Sequence, residues 1–275
     1  AFISTMLTPL LLKYYGPHIA FGVPGLLMLI ATILFWMGRN VFIHIPPGGM
    51  KFLKDVFSRD GLIAIGRLFV IYIFIAPFWA LFDQTGSTWV IQAENLNRQW
   101  LGMEWLPSQI QAINPIMILI FAPTFTYFLY PKINKYFTLT PLTKISIGLF
   151  LTVPSFIIIG YLQTQIDLGY TPSIGWQIFA YAILTASEVL VSITCLEFSY
   201  TQAPNTIKSL IMGCFMLSIA FGNTFTMIVN NFITNINDGA SFFYFFAIVM
   251  FITALLFLFV VKFFKPKTYL QDEEE

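Results

Sequence analysis

Charge is scarce in this sequence: aspartate, glutamate, lysine and arginine make up 10% of its 275 residues. A soluble domain of ordinary composition carries about 25%, so an independent soluble fold is excluded. The net charge of +1 leaves no excess of base with which to hold nucleic acid. Cysteine is nearly absent. Cys195 and Cys214 both fall inside apolar runs, which argues against a disulfide framework. The two histidines, His18 and His44, flank one apolar run at its opposite ends and cannot meet. There is no paired-histidine metal motif, no glycine-rich phosphate loop and no Gly-x-Ser-x-Gly elbow. These absences point away from an enzyme and imply neither a metal nor an organic cofactor.

Apolar residues are abundant instead, at 57% of the chain, with a mean hydropathy of +0.78. Continuous apolar stretches of membrane-crossing length recur, which predicts an all-α, multi-pass integral membrane protein. A β-barrel would show alternation rather than continuous runs. The first run, residues 2–12, is too short to cross a hydrocarbon core of ~30 Å. It reads as the end of a longer helix, and the chain as the C-terminal portion of a longer protein. Spans are predicted at 19–37, 68–93, 109–130, 144–162, 174–200, 207–232 and 241–261. A loop with Pro46, Pro47, Gly48 and Gly49 separates the first two of these, and Trp100 and Trp105 are candidate interface anchors in a polar loop. Of the 14 lysines and arginines, 12 fall on alternate connections and the tail, leaving Lys13 and Arg98 on the other side. The positive-inside rule then places the C-terminus in the cytoplasm.

Polar residues inside such spans are the candidates for function. Asp83 stands near the end of the 68–93 span, beside Gln84, Thr85, Ser87 and Thr88. An acid at a helix centre costs about 2.5–3.5 kcal/mol on insertion scales, so it is kept where it faces protein or water. An ordinary helix terminus at the lipid–water interface would equally account for Asp83. Glu188 follows fourteen uncharged residues and lies near the bilayer midplane, where a carboxylate can hold a cation, exchange a proton or pair with a base on another helix. Ser192, four residues on, shares its face. Glu197 is nine residues on and points to nearly the opposite face of an ideal helix, as a structural or gating contact. Asn114–Pro115 predicts a break in the helical ladder, for packing or for ligand binding. Gly213 and Gly222 read as close-packing positions.

In order, the segments Phe-Trp-Ala-Leu-Phe-Asp-Gln-Thr-Gly-Ser-Thr-Trp (78–89), Ile-Asn-Pro (113–115), Ser-Glu-Val-Leu-Val-Ser (187–192), Leu-Glu-Phe-Ser-Tyr-Thr-Gln-Ala-Pro (196–204) and Lys-Ser-Leu-Ile-Met-Gly (208–213) resemble the proton-dependent oligopeptide transporters of the major facilitator superfamily. The resemblance covers nearly the whole chain. It implies the end of helix five and helix six of an N-terminal bundle (1–39), a cytoplasmic linker (40–67), a C-terminal six-helix bundle (68–262) and a cytoplasmic tail (263–275). It also implies that Asp83 is the proton-coupling carboxylate and that Trp79 is an aromatic of the pocket wall. Asn114 would hydrogen-bond a peptide, and Glu188 would receive its amino terminus. Phe215 stands where many relatives have tryptophan. The N-terminal half, with the bases that would pair with Glu188, would complete the cavity. The 40–66 loop is too short for the two extra helices that many bacterial relatives insert.

The function this implies is proton-coupled symport of di- and tripeptides by alternating access, with protons as the coupling ion and the lipid bilayer as surroundings. Nitrate or another small solute is an alternative cargo, and a non-transporting remnant an alternative role. An intramembrane hydrolase would need Asp83 and Glu188 to share one water, against their different expected depths. Short loops and segregated lysines suit a bacterial inner membrane.

Overall fold

The computed structural model describes residues 1–42, 49–232 and 239–264. His44, Pro46, Pro47, Gly48, Lys265, Lys267 and the acidic end of the tail lie outside them. The chain opens with α1 (Phe2–Tyr15), of 14 residues, and α2 (Pro17–Met37), whose sole buried residue is Ala20. Among the described residues, seven helical stretches are long and apolar enough to cross a membrane.

The second stretch begins nine residues before the expected Leu68. A short helix, α3 (Gly49–Val56), leads into α4 (Arg59–Phe82). Ser58 starts α4: its Oγ accepts from Gly61 N at 3.0 Å, and Asp60 sits in the first turn, where the positive end of the helix dipole favours an acid. Hydropathy marks where a helix enters lipid, whereas the cap marks where the helix starts. Beyond α4 a 3-10 turn, Asp83–Gly86, leads to α5 (Thr88–Glu94). The connection that follows, expected as a plain polar loop, is a small hairpin of β1 (Gln99–Trp100) and β2 (Met103–Glu104). Leu101 and Gly102 at its tip both have positive φ, as the two-residue turn that matches strand twist requires.

The third stretch is a 3-10 segment, Pro107–Ala112, then α6 (Ile113–Thr124), a π-helical segment Phe125–Leu129, and α7 (Tyr130–Asn134). The expected break at Asn114–Pro115 is the change from 3-10 to α geometry at Ile113. Pro115 is the third residue of α6, just past that change. The fourth stretch is α8 (Pro141–Asp167), capped by Thr140 Oγ1, which accepts from Thr143 N at 3.2 Å. The fifth is α9 (Ile174–Glu188), a second π-helical segment Val189–Ile193, and α10 (Thr194–Gln202). Last come α11 (Lys208–Phe232) and α12 (Ala240–Phe263).

Helix α8 is central to the bundle, packed on α12 and α9, while α11 packs on α4. Small residues allow these approaches. A Cβ on Gly148 of α8 would lie 2.5 Å from Val191, and one on Gly222 of α11 would meet the Ala76 carbonyl and lie 2.8 Å from Ala80 N on α4. Gly213 differs from expectation. A Cβ there would meet nothing within 4 Å among the described residues, so it packs closely against none of them. Buried polar groups tie the helices together where no water competes. Gln92 of α5 donates to Ile159 O at 3.1 Å and to Gln163 Oε1 at 3.0 Å on α8. Gln177 of α9 donates to Trp89 O at 2.8 Å.

Candidate functional site in a broken helix

Asp83 lies where α4 ends and the 3-10 turn begins, inside an apolar stretch that continues to Glu94. It is thus at an interruption of a continuous apolar stretch. An interruption frees backbone groups, which must find partners at membrane depth. Gln84 Nε2 donates to Ala80 O at 2.9 Å. Tyr181 Oη, brought from α9, donates to Thr85 O at 3.0 Å. Asp83 itself accepts from Asn223 Nδ2 of α11 at 2.7 Å on Oδ2. Among the described residues its Oδ1 accepts no hydrogen bond.

A cavity of about 280 Å³ opens beside this interruption, lined by Asp83, Thr85, Tyr181, Gln111, Asn114 and, from α1, Thr5. Asn114 joins the cavity to Glu188. Its Nδ2 donates to Glu188 Oε2 at 2.6 Å and to Thr185 Oγ1 at 3.1 Å. Glu188 Oε1 accepts no hydrogen bond from the described residues and is free to meet a cation. Asn114, which lines the cavity with Asp83, thus carries the polar region on to Glu188. Two carboxylates on different helices therefore belong to one polar region, each with one oxygen held by an asparagine and the other open.

In α4's last turn, Trp79 packs edge-on against Phe82 at 5.8 Å and, from α11, Phe215 at 6.1 Å between ring centroids. Phe215 also meets Tyr72 at 6.0 Å. Trp79 is 8% exposed, and its Nε1 has no hydrogen-bond partner among the described residues. Ser192 is half-buried within the second π segment and makes no hydrogen bond to Glu188.

Glu197 departs from the expected geometry. It is exposed and lines a cavity of about 220 Å³ with Thr126, Tyr130 and Lys144, and the Lys144 ammonium lies 4.1 Å from the Tyr130 ring centroid. Glu188, bonded to Asn114 on α6, faces the same neighbouring stretch. Both acids point towards α6–α7 because the π segment between them takes in an extra residue. It thereby turns Glu197 back by roughly 100° from its place on an ideal α-helix. Sequence reasoning missed Asn223 as the partner of Asp83, and Thr185 and Tyr181 as parts of the site. Asn223 was visible as a polar residue in a span, and Thr185 stands one turn before Glu188.

A helical membrane bundle with an interrupted span and a polar cavity beside it is the architecture of a transporter domain. A sequence model of the POT family matches residues 1–65 and 59–246, and the chain belongs to that family. It is 37% identical over 196 residues to Peptide transporter 3 of Caenorhabditis elegans, a match covering 57% of this chain and 28% of that one. It is 31% identical over 207 residues to Solute carrier family 15 member 2 of Homo sapiens, covering 60% of this chain and 28% of the relative. Among solved structures, an auto-inhibited POT family peptide transporter superposes with a TM-score of 0.84 at 27% identity, covering 98% of this chain and 69% of that one. The POT family transporter PepTSo gives 0.80 at 29% identity, covering 95% and 68%. The matches thus span about 28% of the length of the curated relatives.

Proposed function

We propose that this chain contributes the C-terminal transport bundle of a proton-coupled symporter of di- and tripeptides. The bundle would work by alternating access, with an N-terminal bundle completing the cavity. The observation that carries the reading is the pair of half-held carboxylates, Asp83 and Glu188, on one polar region beside an interrupted helix. Glu188 Oε1 receives the peptide's amino group, while Asn114 holds the other oxygen and so fixes the carboxylate. Pairing offsets the desolvation penalty that the ammonium would otherwise meet. Trp79 and Phe215 form an apolar wall for side chains, and Ser192 adds a hydroxyl on the Glu188 side. Asp83 takes up the coupling proton. A proton shifts the balance between outward- and inward-open forms only by its differential affinity for them. The Asp83–Asn223 contact between α4 and α11 supplies such a difference if it forms in one state only. Glu197, with Lys144, acts as a gating contact.

A carboxylate in the site disfavours nitrate as cargo, since like charges repel. The excess of basic residues on one side supports a cytoplasmic tail, and the short connections support a bacterial inner membrane. Proteoliposomes holding the full-length protein, given an inward proton gradient and labelled dialanine, test the reading. Wild type accumulates the peptide and Glu188→Gln does not. Failure of the folded wild type to accumulate it rejects dialanine transport.

A further inference from the structure

Away from the polar cavity, an open groove of about 470 Å³ runs between α4 and α12, lined by Gly66, Arg67, Val70, Phe259 and Phe263 among others. Its walls are almost wholly apolar, and Phe259 and Phe263 stand 63% and 73% exposed. It reaches the last turn of α12, the end of the bundle on which the basic residues gather. Arg67 stands at this groove, exposed, with neither an ion pair nor a hydrogen bond among the described residues. Lys262, one residue before Phe263, adds a second exposed cation on the same turn. Gly66 deepens the groove, for a Cβ there would meet nothing within 4 Å.

We propose that this groove binds an anionic phospholipid of the cytoplasmic leaflet. One acyl chain lies along Val70, Phe259 and Phe263, and the phosphate pairs with Arg67. Charge complementarity selects this occupant. An apolar trough alone would take any acyl chain, but an unpaired guanidinium at headgroup level rewards negative charge. Arginine suits phosphate because its planar fork donates two parallel hydrogen bonds. The groove would also accept detergent or a second protein surface, and neither explains the unpaired cation at its rim.

The test is native mass spectrometry of the full-length protein from mixed micelles holding phosphatidylglycerol and phosphatidylcholine of matched chains. Wild type retains phosphatidylglycerol preferentially, and Arg67→Gln weakens that preference about fivefold, the contribution of one base near a charged surface. Gly66→Leu fills the groove without a clash and lowers retention of both lipids, while the melting temperature of each variant stays at the wild-type value. Equal retention of the two lipids by wild type overturns the proposal, as does an unchanged preference in Arg67→Gln. A preference that emerges only after removal of residues 265–275 would make the acidic tail the occupant and equally overturn it. So would a dimer that Gly66→Leu dissolves.

Discussion

Asn114 Nδ2 lies 2.6 Å from Glu188 Oε2 and 3.1 Å from Thr185 Oγ1, so one amide ties α6 to α9 through two acceptors. The carboxylate is thereby held in one orientation with its second oxygen free. Asn114→Ala removes that hold and leaves Glu188 without a donor. Loss of a hydrogen bond to a half-buried carboxylate costs about 1–3 kcal/mol. The apparent KM for dialanine should rise about tenfold. Equilibrium exchange of labelled dialanine across proteoliposomes measures it.

Asp83→Asn keeps a side chain of the same shape and its contact with Asn223, but cannot take up a proton. Gradient-driven accumulation should fall by about tenfold or more, while exchange of peptide without a gradient continues. Both are read in the same vesicles. Accumulation that survives the substitution would place proton coupling elsewhere.

Gly222 and Gly213 make a paired comparison on one helix. At Gly222, a side chain would run into the backbone of α4 at Ala76 and Ala80; at Gly213, it would find open space. Gly222→Val should lower stability by about 1–3 kcal/mol, the range for forced overpacking. Gly213→Ala should hold or raise it, since glycine in a helix interior costs about 1 kcal/mol relative to alanine. Thermal unfolding in a mild detergent distinguishes the two.

Tyr181 donates to a carbonyl that the interruption of α4 leaves without a helical partner. Tyr181→Phe preserves the ring packing on Trp89, at 4.8 Å between centroids, and removes only the hydroxyl. The Thr85 carbonyl then loses its donor, at about 1–2 kcal/mol. A lower melting temperature with peptide uptake still measurable is the expected result.

The spans were legible because lipid demands long apolar runs, and each predicted run falls within one of the seven helical stretches or, for 207–232, begins one residue before it. Their starts were less so. Arg59 to Arg67 is helical but too polar for a hydropathy window, and only Ser58 signals its beginning. The interruption at Asp83 was hidden because such a window averages over α4 and α5. The π segments were hidden too, since helices apolar on every side show little periodicity. Asp83, Asn114, Glu188, Trp79 and Phe215 could be named from motifs. Asn223 could not be matched to Asp83, because 140 residues separate them in the chain. Nothing in the sequence alone separates Gly222, which packs on α4, from Gly213, where an added Cβ meets none of the described residues.

The π segment at Val189–Ile193 holds one residue more than an α turn of the same rise. Deleting any one residue of that segment would therefore leave a continuous α-helix with both ends intact. Elsewhere in a span, the same deletion would swing every following side chain by about 100° away from its neighbours. Here no such swing follows: Glu197 would keep its place beside Tyr130 and Lys144, and Glu188 and Asn114 would stay together. The π segment thus acts as a slack link, taking up one residue of length while the bearing of the exposed acid against the half-buried one is kept.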